Sequence, residues 1–133
     1  MQKTKKNMIN LVVDAANDKI FFAIMTESKS YTTTHLNSRE NFDKFMKLLL
    51  DFLKKNNTNL TNIDNILINQ GPGKFSSIRI SISIVKGISL ANNINLIGFN
   101  SDDIKNKNYK NLLELSKKKL LIKERIKPQY NDK

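Results

Sequence analysis

The sequence predicts an α/β fold, and three observations carry that prediction. Five short runs of apolar or β-prone residues, at 9–13, 20–25, 30–35, 66–68 and 94–99, are bounded by Asn, Asp and Ser in the manner of strands. Two longer segments, Ser38 to Lys55 and Tyr109 to Ile126, repeat their apolar residues at helical spacing. Between strand-like and ambiguous segments, Gly71, Pro72 and Gly73 crowd one turn, where the backbone must take angles that most residues avoid.

Ile9 to Val13 reads as a short buried strand that ends at Asp14. Asn17 and Asp18 supply turn chemistry, because both tolerate left-handed backbone angles. Ile20 to Met25 then returns as a second strand, and Ser30 to His35, with Tyr31 and three threonines, forms a third near a sheet edge. Three consecutive antiparallel strands are expected.

At Ser38 the period changes. Ser38 stands as an N-cap, followed by Glu40, and the helix is expected over 40–55. Its apolar residues Phe42, Phe45, Met46, Leu48, Leu49, Leu50, Phe52 and Leu53 cover about 200° of arc, twice the stripe that a helix lying on one sheet requires. Either the helix is deeply buried in its own domain, or its second flank meets another protein.

Residues 56–65 form a polar connection into the strand Ile66 to Ile68, which the glycine-rich turn follows. Ser76 to Ala91 is ambiguous. Residues 77–84 alternate strictly between polar and Ile, and period alone says strand. Read as a helix, the same segment spreads its apolar residues in nearly every direction among small Ser, Gly and Ala, as a helix packed on two sides would. Asn92 and Asn93 stop it, and Ile94 to Phe99 is a fifth strand. Beyond a hydrophilic linker at 105–108, the helical pattern runs to Ile126, and Pro128 closes it.

The 133 residues suit one domain, with 39% hydrophobic residues for a thin core. Its net charge of +11 is unevenly placed. Residues 9–104 hold 10 basic and 9 acidic groups, whereas 105–133 hold 10 and 3. Lys, Asn and Ile, all written by A/T-dominated codons, are abundant, so part of the lysine excess reflects base composition. A basic end is either a solvated segment or a contact for an anionic partner such as RNA. The apolar run after Met8 is broken at Asp14, too short for a secretory signal or a membrane span, so a cytoplasmic protein with no membrane partner is expected.

The residues exclude much chemistry. With no cysteine, thiolate zinc sites and cysteine nucleophiles are ruled out, and the lone His35 leaves no histidine-based metal cluster or serine triad to build. A Walker loop ending at Gly73–Lys74 would need its first glycine at Ile68, and Phe75 occupies the position of the magnesium-binding hydroxyl. Asp102 with Asp103, or Asp14 with Asp18, could be proposed as paired acid–base carboxylates, but aspartates so placed more often cap helices or sit in turns. Asp14, at the carboxyl end of the first strand, is the better ligand candidate, because sheet ligands bind there. From residues alone no enzyme, metal or cofactor emerges.

The run from Ile66 to Asp103 nevertheless resembles the signature region of the TsaB family, a partner subunit in bacterial tRNA threonylcarbamoyladenosine synthesis. Gly71, Pro72, Gly73, Phe75, Arg79, Ile80, Lys86, Gly87, Ile88 and Gly98 stand at matching positions. The first strand ending in Asp14 and the placement of His35 before the long helix agree as well. The likeness covers about residues 8–104. Lys74 in place of Ser, Ser76–Ser77 in place of Thr-Gly, and Ala15–Ala16 in place of Thr-Ser depart from the pattern; Ala15–Ala16 lacks the hydroxyls of the family's first loop, which weakens a nucleotide role.

The resemblance implies a single N-terminal-type lobe of the actin-like ATPase (ribonuclease H-like) fold, a five-stranded mixed sheet with flanking helices, in which 76–91 is helical. It divides the chain into a lobe, 1–104, and a basic helical tail, 105–133, as if a second lobe had been cut out, with Lys127-Pro128-Gln129-Tyr130 echoing the family's closing residues. It implies a non-catalytic scaffold that docks a TsaD-like catalytic subunit, or a second copy of itself, through the helices 40–55 and 76–91. Phe42, Met46, Leu50, Leu53, Ile80, Ile84 and Ile88 are the interface candidates. A TsaE-like ATPase is a further implied partner, and Lys117, Lys118, Lys119, Lys123 and Arg125 are candidates for contact with tRNA. The rival readings are a stand-alone basic RNA-binding module and a small peptidase-like hydrolase.

Overall fold

A computed structural model describes residues 8–104 and 109–112 of the chain. Five strands form one sheet in the order β3-β2-β1-β4-β5. They are β1 (Asn10–Asp14), β2 (Lys19–Met25), β3 (Ser30–Leu36), β4 (Asn65–Asn69) and β5 (Asn95–Phe99). The first three are antiparallel neighbours, and β4 and β5 join parallel to β1. This is the predicted α/β class, with the mixed five-stranded sheet in place.

Every residue of β1 and β4 is buried, as central strands covered on both faces must be. On one face Leu11, Val13, Phe22, Ile66 and Ile68 meet the helices. Phe22 anchors that side, edge-on to Phe45 with ring centroids 5.2 Å apart. On the other face Val12, Ala23, Leu67, Ile97 and Phe99 pack with Ile104, Tyr109 and Leu112.

The helix expected over 40–55 is broken in two: α1 (Arg39–Asp43) and α2 (Phe45–Lys55). Lys44 lies between them with φ −117° and ψ 29°, outside helical geometry. Ser38 is the N-cap, its Oγ accepting from the Asn41 N–H at 3.2 Å. The third helix, α3 (Phe75–Asn92), overturns the strand reading from period and agrees with the resemblance. The alternation misleads because Ser77, Ser81 and Ser89 are buried. Ser81 and Ser89 satisfy their hydroxyls on the carbonyls of Ile78 and Lys86, three residues back, each at 3.0 Å, so residues that look polar belong to the core side. Asn93 ends the helix in the left-handed region at φ 53°, where asparagine is tolerated.

At the amino ends of the three parallel strands, Asn10, Asn65 and Asn95 lie in register. Asn65 Nδ2 donates to Asn10 Oδ1 at 2.9 Å, Asn95 Nδ2 donates to Asn65 Oδ1 at 3.2 Å, and Asn10 Nδ2 donates to the Met25 carbonyl. This amide ladder ties β2, β1, β4 and β5 together. Asn65→Ala removes its middle member and strips Asn10 and Asn95 of a partner, so a loss of about 1–3 kcal/mol is expected in urea unfolding. Among the described residues, no helix is long and apolar enough to cross a membrane.

Candidate functional site

The carboxyl ends of β1, β4 and β5 converge on the turn between β4 and α3. Gly71 begins it with φ 105°, a left-handed angle that costs glycine little. Its N–H donates to Asn69 Oδ1 at 2.7 Å, and Ser101 closes the turn from β5, its Oγ donating to the Pro72 carbonyl at 2.8 Å. Gly73 lies against the β1–β2 hairpin so closely that an added Cβ would stand 2.3 Å from the Ala16 carbonyl oxygen. The next residue, Lys74, donates its N–H to that same oxygen at 2.7 Å. Its side chain reaches Asp18 at 3.3 Å, an exposed pair that contributes little to stability. The turn thus serves to lock α3 onto the hairpin.

Asp14, the ligand candidate, is buried and engaged at both oxygens. Oδ1 accepts from the Ala16 N–H at 3.0 Å and from Asn69 Nδ2 at 3.1 Å, while Oδ2 accepts from the Tyr109 hydroxyl at 2.6 Å. Tyr109 stacks on Phe21, ring centroids 4.1 Å apart. Burial first, and then the Asp14 carboxylate, push its phenol well above the ordinary value. A cleft of about 580 Å³ opens beside this pair, lined by Lys19, Phe21, Met25 and Thr32 among others. Asp14 also lines that cleft, but with three donors on its two oxygens it acts as a structural tie between β1, β4 and Tyr109. Asp102 and Asp103 lie in a single helical turn, where Asp103 Oδ2 accepts from the Asn100 N–H at 2.8 Å, a cap as adjacent aspartates often are. His35 is half-buried, tilted against the Phe22 ring. Among the described residues no group of three His, Cys, Asp or Glu side chains is placed to hold a metal.

The outer side of the helices has a different character. Both α2 and α3 lie on one face of the sheet, and each turns apolar side chains outward. Met46 is 38% exposed, Leu50 43%, Ile80 41%, Phe75 51% and Leu90 85%. Phe42 and Ile84 are partly buried beside the core, whereas Leu53 and Ile88 lie inside it. Those last two therefore leave the set of interface candidates, because their own chain already covers them. Along α3, Phe75, Ser76, Arg79, Ile80, Ser83 and Ile84 line a shallow groove of about 370 Å³, and the Arg79 guanidinium sits 5.5 Å from the Phe75 ring centre. Gly87, with nothing within 4 Å of where a Cβ would stand, leaves the same helix open to close approach. Lys86 is exposed beside it.

Leu90 was not among the expected interface residues. The sequence holds its signal once the segment is read as a helix, because positions 76, 80, 83, 87 and 90 make one outward stripe. Lys117, Lys118, Lys119, Lys123 and Arg125 lie outside the described residues, as do 105–108 and the remainder of the expected last helix.

Comparison with known proteins adds sequence to this geometry. The family model described as TsaD, tRNA N6-adenosine threonylcarbamoyltransferase, matches residues 35–108. The tRNA threonylcarbamoyladenosine biosynthesis protein TsaB of Escherichia coli K12 is 28% identical over 88 residues, 66% of this chain and 38% of that protein. TsaB of Buchnera aphidicola subsp. Baizongia pistaciae is 32% identical over 74 residues, 49% of this chain and 34% of that protein. The structure of YeaZ from Pseudomonas aeruginosa superposes with a TM-score of 0.70 at 20% identity, over 77% of this chain and 49% of that one. That likeness shows the fold, the actin-like, ribonuclease H-like α/β arrangement. The chain spans less than half the length of the relatives it matches.

Proposed function

The chain belongs to the TsaD family of tRNA N6-adenosine threonylcarbamoyltransferases and, within it, to the TsaB proteins, and from that premise we propose that it is a non-catalytic scaffold of tRNA threonylcarbamoyladenosine synthesis, docking a TsaD-like catalytic subunit through the outer faces of α2 and α3. The observation that carries this reading is the set of apolar side chains that the two helices turn away from their own core. Met46 and Leu50 stand one turn apart on α2, and Ile80 faces outward from α3 beside the open Gly87 position. Apolar anchors of this kind, held on rigid helices, are what a partner helix packs against. The non-catalytic role is supported by the Asp14 carboxylate, whose oxygens are committed to Ala16, Asn69 and Tyr109. The same reading has the chain act in the cytoplasm, with residues 105–133 as a basic tail whose Lys117, Lys118, Lys119, Lys123 and Arg125 contact tRNA held by the complex.

Co-expression with the cognate TsaD-like subunit tests the docking. Met46→Glu, Leu50→Glu and Ile80→Glu place a charge where an apolar contact should form, and each is expected to weaken binding by about 30-fold, the scale of an interface hot spot. All three side chains are more than a third exposed, so unfolding of the isolated chain should shift by less than about 0.5 kcal/mol. Unchanged co-purification of the triple variant overturns the docking reading.

A further inference from the structure

α3 carries charge of one sign. Phe75–Asn92 holds Arg79 and Lys86 and no Asp or Glu. The two cations stand seven positions apart, so they share one side of the helix, two turns and about 10 Å from each other. Both are exposed. They border the outward stripe of Ser76, Ile80, Ser83, Gly87 and Leu90, much as flanking charges border the apolar seam of a coiled coil. Among the described residues neither is ion-paired, whereas the exposed cations Lys47 and Lys74 pair with Asp51 and Asp18. The Arg79 guanidinium is held 5.5 Å from the Phe75 ring centre. Stacking engages the face of a guanidinium and leaves its in-plane N–H groups available to an acceptor.

We propose that the docking helix of the catalytic subunit meets Arg79 and Lys86 with carboxylates two helical turns apart, and that these contacts decide which protein docks and in which register. The proposal rests on the docking reading above and names the chemistry of the partner. Apolar anchors such as Ile80 and Leu90 supply contact area but specify register weakly, whereas a slip of one turn, about 5.4 Å, separates both charge pairs at once. The occupant follows from charge. Arg39 to Lys55 and Phe75 to Asn92 together hold seven basic side chains against three acidic ones. A second copy of α3 would bring two more cations and no acceptor for either, so charge on this face favours an acidic partner over a second copy. Arg79 is the more demanding of the two, because its planar fork suits a carboxylate in two-point contact, and Lys86 adds a point charge beside the open Gly87 position.

The test is calorimetric binding of the full chain to the cognate TsaD-like subunit at about 50 and 500 mM salt. Arg79→Glu and Lys86→Glu should each weaken binding at least tenfold at low salt. Arg79→Lys, which keeps the charge and gives up the fork, should bind about threefold more weakly. Wild-type affinity should fall about tenfold across the salt range, and that of the double variant Arg79→Gln, Lys86→Gln should stay nearly constant. Changing the partner's exposed carboxylates to lysine one at a time should uncover one that restores binding to Arg79→Glu. Both side chains are exposed, so the variants should melt with the wild type. Altered melting with unaltered affinity would place the acceptors within this chain and overturn the proposal. Loss of binding in the Met46, Leu50 and Ile80 triple variant, with charge variants that bind as the wild type does, overturns the carboxylate contacts and leaves docking standing. A triple variant that binds unchanged overturns the docking reading, and this proposal with it.

Discussion

Gly73→Ala is expected to destabilise the chain by about 3 kcal/mol and to lower its melting temperature by about 10–15 °C. The added methyl would meet the Ala16 carbonyl oxygen at 2.3 Å and the Ala16 Cβ at 2.7 Å. Neither atom can swing aside, since the oxygen belongs to the backbone and already accepts from Lys74 N–H. Relief therefore requires the turn and the β1–β2 hairpin to separate, which loosens the amino end of α3. Gly87→Ala is the internal control. That site sits inside α3 with open space around it, and alanine is the better helix former, so a gain of about 0.5–1 kcal/mol is expected. Thermal unfolding of the two variants side by side distinguishes a steric lock from a general dislike of substitution. Equal effects at 73 and 87 would remove the lock from the account.

That contrast also shows what could be read from the residues. The crowding of Gly71, Pro72 and Gly73 announced a constrained turn, but the partner it was constrained against, Ala16, lies more than fifty residues earlier with no local sign of it. Strands were legible wherever burial on both faces demanded continuous apolar runs, as in β1 and β4. α3 was not legible by period, since its buried serines hide their polarity, Ser81 and Ser89 in bonds to their own helix and Ser77 in a bond to the Asn37 side chain. The wide apolar arc of 40–55 was legible as an excess without a destination. In the fold, Phe45, Leu49, Phe52 and Leu53 take one flank into the core, and Met46 and Leu50 leave the other outside. The helix is thus not enclosed by its own domain. The three-way bond around Asp14 had no signal at all, because Asn69 is 55 residues away and Tyr109 is 95.

Asp14→Ala should cost more than any change on the helix surface, about 3–5 kcal/mol. The substitution leaves three donors behind: the Ala16 N–H, the Asn69 amide and the Tyr109 hydroxyl. A buried donor without an acceptor costs about 1–3 kcal/mol. The sum is tempered because Asn69 keeps Ser101 Oγ at 3.2 Å and Tyr109, being half-buried, can turn toward water. Tyr109→Phe isolates one arm of the network and carries a pH signature. The folded state holds the Tyr109 phenol above its unfolded value through burial and then through Asp14, so the folded chain keeps this proton where the unfolded chain loses it. Its contribution is whole below the ordinary phenol range near pH 10 and is lost as pH rises above it, with a slope of at most about 1.4 kcal/mol per pH unit. Urea midpoints of wild type and Tyr109→Phe should therefore differ by a constant amount from pH 7 to 9 and converge toward pH 11. Parallel curves through that range would mean that Asp14 does not hold Tyr109 in solution, and that the segment carrying Leu112 is fastened to the sheet by packing alone.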